Sequence, residues 1–360
     1  MKLGDIFKLS SGKSLPEKKR ISGECNVYGG NGITGSHNDY FVEEPTIVIG
    51  RVGEYCGAVH LTAEKCWVTD NALMVTEWYQ EVDKEYMTYA LNAMNLHQYA
   101  KTVGQPSISQ ANVYTLDIEL PSIEQQREIV KILNVNKNVL VDRQRELELL
   151  DDLIKARFVE LFRNCNEYER LGEADIFISD GNYSSKYPTA DEFVEYGIPF
   201  IRASNMVDNT ISDDEMYYIS ADKHSELLKG HVKPFDILIA TRGAGIGKIA
   251  VVPERHNDSN INAQIVLLRC NTNVYNPLYL SWYMKLQDTQ MKIQGLISGS
   301  AQPQLPIKRL VQLDLLRPEI EKQNEFSDFV KQVDKSKVVV QKALDEAQLL
   351  FDSLMQQYFG

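Results

Sequence analysis

The chain contains two diverged copies of one pattern, and this repeat limits its fold more than any other feature. Leu3-Gly4-Asp5-Ile6-Phe7 resembles Leu171-Gly172-Glu173-Ala174-Asp175-Ile176-Phe177. Each leads into a Ser- and Gly-containing stretch, Ser10-Ser11-Gly12-Lys13 or Ser179-Asp180-Gly181-Asn182. Thr46-Ile47-Val48-Ile49-Gly50-Arg51-Val52-Gly53 resembles Ile237-Leu238-Ile239-Ala240-Thr241-Arg242-Gly243, which aligns Arg51 with Arg242. Both runs continue through Gly57 or Gly247, and Asn71-Ala72 then matches Asn262-Ala263. Gln105-Pro106 matches Gln302-Pro303, Pro121 matches Pro318, Gln126 matches Gln323 and Phe162 matches Phe359. The offset between copies is 168 at Gly4, 191 at Arg51 and a constant 197 over these last four pairs. Insertions collect in loops, so the constant stretch is what a long helix held in register imposes.

Each copy has two parts. Thr46–Ile49, Ile237–Ile239, Ile249–Val252 and Ile265–Leu268 read as buried strands bounded by turn residues. Lys84–Tyr99 and Leu278–Gln294 carry apolar and aromatic residues at helical spacing. The first part of each copy is therefore expected to be a compact α+β domain. The second part is a long helix. Ser122–Arg163 contains no Gly or Pro, and Ser122 with Gln125 fits a capping box just after Pro121. A 4-3 spacing picks out Ile129, Leu133, Asn136, Leu140, Arg143, Leu147, Leu150, Ile154, Arg157 and Leu161. In the second copy it picks out Phe326, Val330, Val333, Lys337, Val340, Leu344, Ala347, Phe351, Leu354 and Tyr358. Such heptads point to an antiparallel coiled coil of two helices, each roughly 60 Å long. The expected boundaries are 1–104 and 164–303 for the α+β domains, and 105–163 and 304–360 for the helical regions.

Composition excludes several classes. No apolar run approaches the roughly 20 residues needed to span a bilayer, and the first residues lack the apolar stretch of a signal peptide, so a cytoplasmic location is expected. Cys25, Cys56, Cys66, Cys165 and Cys270 are odd in number and form no CxxC pair, and there is no HExxH. No metal and no cofactor is expected on this chain. Gly243-Ala244-Gly245-Ile246-Gly247-Lys248 lacks the GxxxxGK[ST] pattern, because Ile249 follows the lysine. It reads as a glycine turn.

The chain resembles the specificity (S) subunit of type I restriction-modification systems. The resemblance rests on the duplicated starts, on Arg51-Val52-Gly53 with Thr241–Lys248, and on Gln105-Pro106-Ser107-Ile108. It rests most specifically on Leu120-Pro121-Ser122-Ile123-Glu124-Gln125-Gln126-Arg127-Glu128-Ile129-Val130. The second copy is degenerate there, reading Pro318-Glu319-Ile320-Glu321-Lys322-Gln323. The resemblance implies two target-recognition domains, each reading one half of a bipartite site in double-stranded DNA. It also implies a coiled coil that sets the spacing and docks two methyltransferase (M) subunits, with restriction (R) subunits joining in the full complex. S-adenosylmethionine, ATP and magnesium would sit on those partners. An Asn/Asp-Pro-Pro-Tyr/Phe methyltransferase loop is missing, and Asn276-Pro277-Leu278-Tyr279 does not supply one. The chain is expected to be noncatalytic.

Candidate DNA contacts are Lys13, Lys18, Lys19, Arg20 and Arg51 in the first copy. In the second they are Lys186, Arg202, Ser204, Asn205, Arg242 and Lys248. Arg can contact phosphate or a guanine edge, whereas Asn pairs with adenine. Each also has a bland alternative, an internal ion pair for the arginines and a solvated surface for the lysines. The Gln-Pro loops offer polar groups free of acid, but a rigid turn is the favoured reading. The whole chain carries a charge of −12, and residues 1–104 and 164–303 carry −3 and −6. The isolated chain is therefore expected to bind DNA weakly. A coiled-coil scaffold joining two protein-binding modules is the alternative from another class, and salt-sensitive duplex binding separates the two.

Overall fold

The computed structural model describes residues 1–101, 105–183, 186–243, 245–299 and 302–360. Gly104, Ala244, Ser300 and Ala301, which fall within the boundary and motifs named above, lie outside the described residues. The chain divides into two compact units, residues 1–147 with 339–360, and residues 148–338. Among the described residues, no helix is long and apolar enough to cross a membrane.

The first unit begins with β1 (Phe7–Ser11), β2 (Cys25–Gly29), β3 (Gly32–His37) and β4 (Ile47–Gly50). It continues through β5 (Val59–Leu61), β6 (Trp67–Val68), β7 (Ala72–Trp78), α1 (Lys84–Ala93), α2 (Gln110–Tyr114) and the first part of α3 (Ile123–Phe162). An antiparallel sheet has the order β1-β7-β4-β5. A smaller sheet has the order β3-β2-β6, with β2 and β6 parallel. β4 is buried along its whole length and carries apolar residues on both faces. Ile47 and Ile49 enter one core with Leu3, Phe7, Met87 and Leu91, whereas Val48 enters another with Tyr28, Val68 and Met74. That division follows from the two-residue period of a strand.

The second unit begins with the end of α3, followed by β8 (Tyr168–Arg170), β9 (Ile176–Asp180), β10 (Phe193–Val194), β11 (Ile198–Ile201), β12 (Met206–Val207), β13 (Thr210–Ile211) and β14 (Tyr217–Ile219). After these come α4 (Ala221–Glu226), β15 (Ile237–Ala240), β16 (Ile249–Val251), β17 (Asn260–Ile261) and β18 (Ile265–Cys270). It ends with α5 (Pro277–Lys285), α6 (Gln287–Gly295), α7 (Ile307–Leu310), β19 (Asp314–Leu316) and the start of α8 (Ile320–Phe359). The sheet order β9-β18-β15-β16 repeats β1-β7-β4-β5 strand for strand. The parallel pair β11–β17 repeats β2–β6. Ile237 and Ile239 face one core while Leu238 and Ala240 face the other. The β12–β13 hairpin and α4 fall between β11 and β15, where the first unit has only β3 between β2 and β4. The extra length of the second copy therefore sits outside the shared framework.

Both segments expected to be helical are helical but interrupted. Lys84–Tyr99 is helical to Ala93, passes Asn95 in the left-handed region (φ 45°) and ends in a 3-10 turn, Leu96–Tyr99. Leu278–Gln294 is α5 and α6, divided at Leu286, whose backbone is extended (ψ 142°). Periodicity alone does not register these breaks, because the apolar face continues across them.

α3 starts and ends within a residue of the run free of Gly and Pro, Ser122–Arg163. Ser122 Oγ accepts from the Gln125 amide, and Gln125 Oε1 accepts from the Ser122 amide, which completes the capping box. All twenty positions of the 4-3 spacing are buried or half-buried. In the first unit Tyr86 lies against Phe359, with ring centroids 5.3 Å apart. In the second unit Phe158 packs on Phe162, Tyr279 and Phe326. There Arg157 pairs with Glu325, and Lys337 pairs with Asp151. Arg157 and Lys337 thus interrupt the apolar seam without leaving an unpaired charge.

Candidate functional site

A buried glutamine fastens each long helix to its own unit. Gln126 is 1% exposed and Gln323 is fully buried. Gln126 Oε1 accepts from the Asp83 amide at 2.9 Å, and its Nε2 donates to the Pro121 carbonyl at 2.9 Å. Gln323 repeats both bonds, to the Asn276 amide at 2.9 Å and the Pro318 carbonyl at 2.8 Å, and adds the Val274 carbonyl at 3.0 Å. Asp83 and Asn276 are themselves the N-caps of α1 and α5. Each glutamine therefore satisfies a helix-entry amide that burial would otherwise leave unpaired. The constant 197-residue offset marked these residues in the sequence, but it did not reveal this bridging role.

The Gln-Pro segments are held by backbone bonds. Ser107 bridges to both Lys101 and Val52, and Gln304 bridges to both Ser298 and Arg242. Ile108 N–H donates to the Arg51 carbonyl, and Leu305 N–H donates to the Thr241 carbonyl, both at 2.9 Å. These bonds correct the alignment of the two arginines. Arg51 is the structural equivalent of Thr241, and Val52 is the equivalent of Arg242. The turn bonds agree, since Gly57 N–H donates to Gly50 O and Gly247 N–H donates to Ala240 O. A one-residue shift in extended chain turns a side chain to the opposite side. The two arginines thus point differently from their shared framework.

Arg51 is exposed and donates to Ser11 Oγ at 3.1 Å. It lines an open cleft of about 650 Å³ with Lys101, Ser11, Ser107, Ser109 and Gln110. Among the described residues, no acidic one lines that cleft, so its local charge is positive although the unit around it is acidic. Lys13 is exposed two residues beyond Ser11, its ammonium 4.3 Å from the Phe41 ring centroid. Lys18 and Lys19 are exposed on a 3-10 turn, and the half-buried Arg20 donates to the Thr34 carbonyl.

In the second unit, the exposed Arg242 and Lys229 both face the Tyr183 ring, at 5.9 and 5.6 Å. Burial pushes the Tyr183 hydroxyl pKa up, against the pull of these two cations. Lys186 and Ser204 are exposed. Arg202 lies 3.5 Å over Tyr217 and donates to the Glu215 carbonyl, and Asn205 is 1% exposed. The Asn205 amide donates to the Asp214 carbonyl and its Oδ1 accepts from the Arg202 amide. Arg202 and Asn205 thus build the loop framework. Lys248 is exposed beside a cleft of about 450 Å³ that also involves Gly245, Gly247, Lys285 and Gln290. Gly243 and Gly247 have positive φ (81° and 85°) in the turn joining β15 to β16. A strand follows this turn, whereas a phosphate loop opens a helix.

The helices present a further surface in the first unit. Ile132, Val135, Val139, Leu350 and Leu354 line an apolar groove of about 690 Å³. Val135 is 60% exposed and Leu350 is 53% exposed. Grooves of this kind mark association surfaces.

Known proteins share this architecture. A family model described as the type I restriction modification DNA specificity domain matches residues 1–149 and 174–347. The chain is 31% identical over 137 residues to the type I restriction enzyme EcoprrI specificity subunit of Escherichia coli, covering 37% of this chain and 34% of that one. The match thus spans about a third of that relative's length. It is 19% identical over 317 residues to the MjaVIII specificity subunit of Methanocaldococcus jannaschii, covering 83% of this chain and 74% of that one. The solved S subunit of a type I restriction-modification system from M. genitalium has the same fold. Its TM-score is 0.64 over 100% of this chain and 95% of that one, at 17% identity. With the matched segments covering most of its length, this chain belongs to the type I restriction-modification DNA specificity family.

Proposed function

We propose that this chain is the sequence-reading, noncatalytic subunit of a type I restriction-modification complex, with each α+β domain reading one half of a bipartite DNA site. One observation carries the reading: the framework is duplicated strand for strand while the exposed residues it displays differ. A reader of two unlike half-sites needs a constant support and variable contacts. In the first domain, Arg51, Lys101, Lys13, Ser11 and Gln110 form the reading face, with Lys18, Lys19 and Arg20 on its flank. In the second, Arg242, Lys248, Lys186 and Ser204 do so, while Arg202 and Asn205 hold the loop beneath them. The boundaries proposed for these domains are 1–104 and 164–303.

The helical regions 105–163 and 304–360 form an antiparallel coiled coil that sets the gap between half-sites. The buried 4-3 positions and the Arg157–Glu325 and Lys337–Asp151 pairs support that reading. The apolar groove of Ile132, Val135, Val139, Leu350 and Leu354 docks a methyltransferase subunit. Methyl transfer, which requires S-adenosylmethionine, and ATP-driven cleavage belong to the partners.

The net charge of −12 sets the test. Anisotropy titration of a duplex carrying the site should show weak binding by this chain alone. Adding the methyltransferase should produce tight binding that falls steeply with salt. Absence of duplex binding by the assembled pair would contradict the reading.

A further inference from the structure

We propose that the second unit carries a divalent-cation site, formed by His224, His231 and Asp258, suited to a borderline-soft ion such as zinc. His224 lies on α4, His231 on the segment after it, and Asp258 just before β17. His224 Nε2 is 3.3 Å from Asp258 Oδ2, and His231 Nδ1 is 3.4 Å from Asp258 Oδ1. All three ligand groups place an atom within 4.8 Å of the others. Donor atoms around a tetrahedral ion with bonds of about 2.0–2.1 Å stand roughly 3.3 Å apart. A small closure of the two rings completes that geometry, and water takes the fourth position.

The far side of each ring explains why these atoms converge. His231 Nε2 lies 2.7 Å from the Leu227 carbonyl, which only accepts, so this nitrogen carries the proton. His224 Nδ1 bonds Asn260 Oδ1, and Asn260 is fully buried. That leaves His224 Nε2 and His231 Nδ1 facing the Asp258 carboxylate. Two ring nitrogens and a carboxylate converging in this way form a donor set for a divalent cation. Imidazoles whose second nitrogen is held by a carbonyl oxygen are the usual supporting arrangement around a bound metal. Asp258 holds its backbone in the left-handed region (φ 61°), which places the carboxylate between the rings.

The competing arrangement is a hydrogen-bonded triad without a metal, in which His224 Nε2 bonds Asp258 Oδ2 directly. The site leaves no mark in the sequence because its ligands come from two separate segments with no familiar spacing. α4 has no counterpart in the first unit, so the two histidines come with the second unit's inserted segment, while Asp258 comes from the shared framework. Gly230, beside His231, is bonded to Ile261, and Lys229 faces Tyr183. A metal here would clip that segment onto β17. The inference stands on this geometry whether or not the DNA-reading proposal holds.

The test is a Co²⁺ titration of the full chain near neutral pH, followed by visible absorption, with Zn²⁺ competition and a thermal melt. The expected result is one equivalent of Co²⁺ in a tetrahedral spectrum without a thiolate charge-transfer band. Zn²⁺ should displace it and raise the Tm. His224→Ala and His231→Ala should abolish the spectrum, Asp258→Asn should weaken binding, and His60→Ala should change nothing. His231→Gln keeps a donor for the Leu227 carbonyl and covers the case in which the alanine variants misfold. No binding by the native chain, a thiolate spectrum, or binding that survives His231→Gln would each overturn the proposal.

Discussion

The two units share a skeleton and differ in what they display from it. β1-β7-β4-β5 and β9-β18-β15-β16 have the same order, and Gln126 and Gln323 make the same two bonds. Yet Val52 stands where the second unit has Arg242, and Arg51 stands where it has Thr241. The β12–β13 hairpin and α4 are additions to the second unit. The lesson is that the framework is constrained by packing and buried hydrogen bonds, whereas the displayed face changes without disturbing the core.

The largest expected difference between the units lies in aromatic packing. Phe158 is 6% exposed and packs on Phe162, Tyr279 and Phe326. Phe158→Ala should destabilise the chain by about 3–5 kcal/mol in urea denaturation. Phe359 is only half-buried against Tyr86, and Phe359→Ala should cost roughly 1–2 kcal/mol. Equal losses would break the comparison.

The glutamine anchors give the next effect. Gln323→Leu leaves the Asn276 amide and two carbonyls without their partner. Gln126→Leu leaves the Asp83 amide and one carbonyl. Each orphaned buried group costs about 1–3 kcal/mol. Gln323→Leu should therefore lower the unfolding midpoint more than Gln126→Leu, and the reverse order would show that the second copy's degenerate helix start has loosened its anchor.

Two glycines sharpen the contrast on a smaller scale. A Cβ on Gly57 would lie 2.5 Å from the His97 amide nitrogen, whereas one on Gly243 meets nothing within 4 Å. Both have positive φ, 81° at Gly243 and 88° at Gly57. Gly243→Ala should cost only the left-handed penalty of about 1–2 kcal/mol. Gly57→Ala should cost more, and thermal melts of the pair check the order. The smallest effect on stability, but a selective one on function, is expected from Arg51→Ala and Arg242→Ala. Both side chains are exposed, so melts should barely change. Each should weaken DNA binding by the assembled complex by about 1–3 kcal/mol if it grips a base, and each for its own half-site only.

Much of this framework was legible in the residues. The absence of Gly and Pro between Ser122 and Arg163, with the Ser122–Gln125 box, located α3 within a residue at each end. Apolar runs located β4, β15, β16 and β18 because buried strands are written as local apolar segments. What depends on long-range pairing was not legible. Matching Arg51 to Arg242 by identity missed the one-residue register that only the Ser107 and Gln304 bridges define. Asn205 looked like a base reader by type, but burial commits its amide to Asp214 and Arg202. The positive cleft around Arg51 and Lys101 was hidden because residues fifty apart in sequence meet there.

The most direct test of the central claim is long-read methylation sequencing of DNA from cells expressing this chain with the methyltransferase subunit proposed as its partner, compared with cells lacking this chain alone. The account predicts a bipartite methylated motif that depends on this chain, and an exchange of residues 1–104 should change one half of it. A motif that persists without this chain, or an exchange that alters both halves, would contradict it.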